Sequence, residues 1–61
     1  MSYIFRRPVN SGFKETEEMT KWAVQHCPSY IANDVDQTGE WCYRLYFSDE
    51  KDYLMFVLRW A

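Results

Sequence analysis

Apolar and polar positions along the chain switch between two periods. The segment Ser2-Tyr3-Ile4-Phe5-Arg6-Arg7 is β-branched and aromatic, and Pro8 with the turn-forming Asn10-Ser11-Gly12 closes it, which predicts a first strand. The period then becomes helical: Met19, Trp22, Ala23, His26 and Cys27 fall on one face of a 3.6-residue repeat. Thr16 is suited to cap that helix, and Glu17 and Glu18 stand in its first turn, where the helix dipole favours negative charge. Pro28 ends it.

Two strands are expected next, Tyr30-Ile31-Ala32-Asn33-Asp34-Val35-Asp36 and Trp41-Cys42-Tyr43-Arg44-Leu45-Tyr46-Phe47, joined by the turn Gln37-Thr38-Gly39-Glu40. The segment from Ser48 to Ala61 fits two periods. Tyr53, Phe56, Val57 and Trp60 match a helix, whereas the run from Tyr53 to Trp60 also reads as a buried strand after a polar Ser-Asp-Glu-Lys-Asp loop. The helix is favoured by Ser48 as an N-cap, by Asp49, Glu50 and Asp52 in the next turn, and by Arg59 near the C-terminal end. It is also favoured by an internal echo in which Phe13, Glu18, Met19, Trp22 and Ala23 correspond to Phe47, Asp52, Tyr53, Phe56 and Val57. The expected fold is α+β, a single domain over 1–61 of order β-α-β-β-α. It amounts to a half-ferredoxin-like three-stranded sheet with both helices on one face, and β-α-β-β-β is the alternative. Such a sheet leaves one face and at least one edge without cover from its own chain.

Composition sharpens this picture. A domain of 61 residues buries only about 60% of the surface its unfolded chain exposes. Three Trp, five Tyr and four Phe must therefore supply most of the burial, and self-association as a homodimer would relieve the shortfall. A net charge of −2 gives no general attraction to nucleic acid or to anionic membranes. The longest apolar run, Tyr53 to Leu58, is far shorter than a spanning helix, and Met1 to Arg7 lacks the apolar centre of a leader. Two cysteines, Cys27 and Cys42, make neither a disulfide framework nor a redox pair, so a reducing, cytoplasmic setting is expected.

Candidate chemistry is sparse. Asp34-Val35-Asp36-Gln37-Thr38-Gly39 begins like a calcium loop, but its twelfth position is Leu45, where a bidentate carboxylate is needed. His26, Cys27 and Cys42 are three zinc-type ligands without paired spacing, and His26 diverges from Cys27 by about 100° on a helix. The single histidine cannot easily face its neighbouring cysteine, and no nucleophile or phosphate-loop motif occurs. No catalytic residue, cofactor or metal is expected, and the chain reads as non-enzymatic. The strands are more informative. If the helices cover the Leu45 face, the open face carries Arg44 and Tyr46, joined either by Tyr3, Phe5 and Arg7 or by Arg6. Tyr3, Phe5, Arg7, Arg44, Tyr46 and Trp60 are the candidate interface residues, for a protein partner or, alternatively, for bases of single-stranded nucleic acid.

The C-terminal segment Phe47-Ser48-Asp49-Glu50-Lys51-Asp52, continuing to Phe56-Val57-Leu58-Arg59-Trp60, resembles small uncharacterised accessory proteins of tailed bacteriophages. Val57 stands where that resemblance would put a lysine, and Tyr53 where it would put a small residue. The resemblance implies an α+β accessory protein located in the host-cell cytoplasm, and it assigns no functional residue. The functional expectation is a protein-interaction module that self-associates or binds a host or viral protein.

Overall fold

The computed structural model describes residues 2–9 and 14–60. The elements run β1 (Tyr3–Pro8), α1 (Lys14–His26), β2 (Tyr30–Asp36), β3 (Cys42–Phe47) and α2 (Glu50–Trp60). The α+β order β-α-β-β-α is therefore observed, and the C-terminal segment is a helix. The turn expected at Asn10-Ser11-Gly12 and the Phe13 member of the internal echo lie outside the described residues.

β3 is the central strand of a three-stranded antiparallel sheet of order β1-β3-β2. β1 and β2 both run antiparallel to β3, so they are parallel to each other with β3 inserted between them. This is a split β-α-β unit followed by a second helix. Opposite residues place Tyr3, Phe5 and Arg7 beside Phe47, Leu45 and Tyr43 on one face, and Ile4 and Arg6 beside Tyr46 and Arg44 on the other. Both helices pack on the first face. There Phe5, Tyr43, Leu45 and Phe47 meet Met19, Ala23, Cys27 and Phe56 in a single buried cluster.

Four boundaries differ from the sequence reading, each for a local reason. α1 begins at Lys14, so Thr16 is not its cap but a buried residue of the first turn, and its carbonyl accepts a bond from Thr20 Oγ1 at 2.9 Å. β1 includes Pro8, which an edge strand tolerates where its missing N–H would face outward. β3 starts at Cys42, because Trp41 ends the ladder as the acceptor for the Val9 N–H at 2.9 Å. The cap of α2 is Asp49 rather than Ser48. Its carbonyl accepts the Tyr53 N–H at 3.2 Å and its carboxylate the Lys51 N–H at 3.4 Å, while Ser48 is held by the carbonyl of Ser29. The hairpin turn is closed by Asp36, whose Oδ1 accepts both the N–H and the hydroxyl of Thr38, and Gly39 takes the left-handed conformation there with φ of 81°.

The internal echo has a structural counterpart. Met19, Trp22 and Ala23 of α1 and Tyr53, Phe56 and Val57 of α2 all pack on the same core. Aromatic rings link the layers: Phe56 lies 4.8 Å from Phe5, 5.2 Å from Phe47 and 5.9 Å from Trp22 between ring centres. No described helix is long and apolar enough to cross a membrane.

Candidate functional site

β1 is aligned along α2 by three successive contacts. The Tyr3 ring stacks on Tyr53 at 5.9 Å, Phe5 meets Phe56 edge-on, and the Arg7 guanidinium donates to the carbonyl of Trp60. Arg7 also pairs with Glu15 at 2.7 Å, so one side chain ties β1 to both helices. Tyr3, Phe5, Arg7 and Trp60 therefore lie between the sheet and its helices, whereas Arg44 and Tyr46 project from the opposite face. The six candidate interface residues do not share one surface. Arg6 joins Arg44 and Tyr46 instead, since alternation along β1 is fixed by which residues reach α2.

That open face is electrically self-contained. The Arg44 guanidinium makes a fork on Asp34, with Nε to Oδ1 at 2.7 Å and Nη2 to Oδ2 at 2.8 Å, and its Nη1 is 3.6 Å from Asp36. Tyr46 donates its hydroxyl to Asp34 Oδ2 at 3.0 Å, and Arg44 lies 5.9 Å from the centre of the Tyr46 ring. Asp34 is held below the usual carboxylate range chiefly by the Arg44 hydrogen bond, and Asp36 is lowered chiefly by its bonds to Thr38. Burial and the bond to Asp34 push Tyr46 up. Arg44 thus engages both aspartates, Arg6 acts on Asp36 only through its charge, and Tyr46 is the one aromatic ring on this face among the described residues.

Carboxylates lowered on folding stabilise the protein above their unfolded pKa, near 4, and that contribution is lost as pH falls through the folded values. The urea midpoint of the protein is accordingly expected to fall as the pH is lowered below about 4. Asp34→Asn should make this acid limb shallower, while at pH 7 it should lower the midpoint. Equal acid limbs in the two proteins would refute the role given to Asp34.

The cysteines and the histidine do not converge. Cys27 is buried just past the end of α1 with its thiol pushed up first by burial and then by the Asp52 charge, Cys42 is on the open face, and His26 is exposed. Among the described residues no group of three or more His, Cys, Asp or Glu side chains is placed to hold a metal ion. A shallow groove of about 760 Å³ beside α1 has Val24 and Tyr43 in its lining and an exposed rim of Lys14, Glu17, Glu18 and Lys21.

The unusual surface is elsewhere, along the outer edge of β1. Val9 donates to Trp41, just before β3, and directions alternate, so Tyr3, Phe5 and Arg7 also turn their backbone groups to β3. Ile4 and Arg6 turn theirs outward, where no strand pairs with them among the described residues. α2 overhangs this edge. Its Asp52 bonds Ser29 beyond the end of α1, and Arg59 and Trp60 border a cleft with Trp22, which identifies the flank facing α1. At 100° per residue, Leu54 and Val57 lie on the other flank, toward the free edge, whereas Leu58 stands opposite Phe56 and Trp60 on the outer surface of the helix. Leu58 is 86% exposed and Leu54 49%, while Ile4, 39% exposed, faces the opposite side of the sheet. These exposed leucines were not legible from the core face of α2 alone. Their signal was the spacing of Leu54 and Leu58, four residues apart and offset from the Tyr53-Phe56-Val57-Trp60 face.

Comparison of the chain with family models, with curated proteins and with solved structures gave no match. The functional reading therefore rests on the geometry.

Proposed function

We propose that the chain is a small non-enzymatic protein-interaction module, and that its working surface is the outer edge of β1 together with the Leu54-Val57 flank of α2. The observation that carries this reading is their adjacency: unpaired backbone groups of Ile4 and Arg6 lie beside the flank of α2 that carries the exposed Leu54 and the partly buried Val57. An open edge supplies main-chain hydrogen bonds to an added strand, and an apolar flank supplies the area that gives such a strand affinity. β2, the other edge, is a poorer acceptor. It carries Asn33, Asp34 and Asp36 and is broken by a bulge at Ile31, features that discourage strand addition.

Single-stranded nucleic acid on the open face is the competing reading, and the geometry supports it less. Base-binding sheets need several exposed rings and uncompensated cations. Here Tyr46 is a lone ring and Arg44 is already neutralised by Asp34 and Asp36.

Selection from a random peptide library at low protein concentration tests the proposal. Recovered peptides are expected to alternate apolar and polar residues and to lose at least about tenfold in affinity to Leu54→Glu. Peptides insensitive to Leu54→Glu, or salt-dependent oligonucleotide binding abolished by Arg44→Ala, would overturn it.

A further inference from the structure

We infer that the strand accepted by β1 is an acidic, amphipathic segment of another protein, one that sets a carboxylate against Arg6 on the open face and apolar side chains beneath the Leu54-Val57 flank of α2. The inference rests on the interaction surface just proposed and adds the chemistry of its occupant.

The register of the sheet fixes what a fourth strand meets, because each row of opposed side chains extends one place beyond β1. On the open face Asp34 stands opposite Arg44, and Arg44 opposite Arg6, so the row reads acid, base, base towards the free edge. Opposite charges on facing strands stabilise a sheet, and like charges destabilise it. Arg44 directs its guanidinium towards β2, forking on Asp34 and reaching Asp36. Arg6 is exposed and makes no hydrogen bond or ion pair with its side chain among the described residues. A carboxylate on the added strand is the group that balances this row.

The other arginines have partners already: Arg7 holds Glu15 and the Trp60 carbonyl, and Arg59 lies over the Trp60 ring at 4.5 Å. Arg6 is the one left over, and it stands on the edge where a strand would add. No strand of the chain itself supplies the acid. β1 and β3 contain none, and Asp34 and Asp36 of β2 are engaged with Arg44.

The neighbouring rows complete the segment. Ile4 stands beside Tyr46 on the open face, so a β-branched residue suits the place beyond it. Phe5 stands beside Leu45 on the helix side and touches Phe56 there. The place beyond Phe5 therefore lies under the flank of Leu54 and Val57 and takes an apolar side chain. Glu50, the acid on that flank, is one turn of α2 before Leu54, at the Tyr3 end of the strand and away from Arg6. The segment thus has an acid and a β-branched residue two places apart, with an apolar residue between them.

A synthetic peptide of order leucine, threonine, leucine, glutamate, leucine, threonine, leucine tests this, since it reads the same from either end and so fits either strand direction. Its counterpart has lysine for glutamate. The natural protein should bind the glutamate peptide at least about fivefold tighter, with the preference shrinking as salt is raised and the Ile4 and Arg6 amides becoming protected from hydrogen exchange. Arg6→Glu, at an exposed side chain, should keep the circular dichroism of the folded chain and reverse the preference. Equal, Leu54-sensitive binding of the two peptides, or a preference that survives Arg6→Glu, would overturn the acidic partner and leave the strand site standing. Binding of neither peptide, or binding insensitive to Leu54→Glu, would overturn the wider reading and this inference with it. A chain that is dimeric by light scattering, with those amides protected before any peptide is added, would overturn the foreign segment in favour of a second copy.

Discussion

Phe56→Ala is expected to leave the chain without a cooperative thermal transition at 25 °C. Phe56 is fully buried at the junction of all layers, with the rings of Phe5, Phe47, Trp22 and Trp60 around it. Truncating a buried phenylalanine costs about 3–5 kcal/mol, as lost transfer energy plus the cavity left behind. A core built by a chain of this size rarely supplies more than about 3–5 kcal/mol in total. Near-UV circular dichroism should collapse in the variant, whereas Phe56→Leu, which keeps most of the volume, should retain a folded baseline. A Phe56→Ala protein melting close to the natural one would mean that α2 does not seat on the sheet.

Asp52→Ala should give the next largest loss, about 1.5–3 kcal/mol, the range for hydrogen bonds to a charged group. The Asp52 carboxylate accepts the Ser29 N–H at 2.9 Å, and its carbonyl oxygen lies 3.8 Å from the Cys27 sulfur. This one residue fastens the first turn of α2 to the turn between α1 and β2. The expected change is a lower urea midpoint, together with Cys27 reacting with thiol reagents at lower pH, because one of the two causes raising its pKa is gone. Asp52→Asn keeps an acceptor oxygen and should recover part of the midpoint. An unchanged midpoint in Asp52→Ala would show that water replaces the carboxylate at no cost.

The elements were legible because their periods are clean, and the misread positions were those where tertiary partners decide. Met19, Trp22, Ala23 and Cys27 mark the buried side of α1 directly, and the acidic turn before Tyr53 marks the start of α2. Thr16 looks like a cap, yet its burial and the bond from Thr20 place it inside the helix. β1 offers aromatic and arginine residues to both faces, so alternation alone could not orient it. What orients it is Arg7, which finds Glu15 and the end of α2 on one side only. The Arg44-Asp34 fork, by contrast, could have been found by counting outward from Gly39, which sets Asp34 opposite Arg44 in the hairpin. The strand order could not be read that way, because it depends on where the two helices pack rather than on any one segment.

The insertion of β3 between β1 and β2 also governs the order in which the molecule assembles. The β2–β3 ladder closes across a short turn, whereas the β1–β3 ladder joins Tyr3 to Phe47 with α1 and β2 between them in the chain. Contacts between residues so far apart in sequence form late, since the entropy of closing the intervening loop must be overcome first. Until β1 docks, the flank of β3 that it will occupy stays open and the row of backbone groups at Ile4 and Arg6 does not yet exist as an edge. Any strand added along that row must therefore arrive after the chain has folded. A crowded refolding mixture favours a different product, in which the β1 of one chain pairs with the β3 of another.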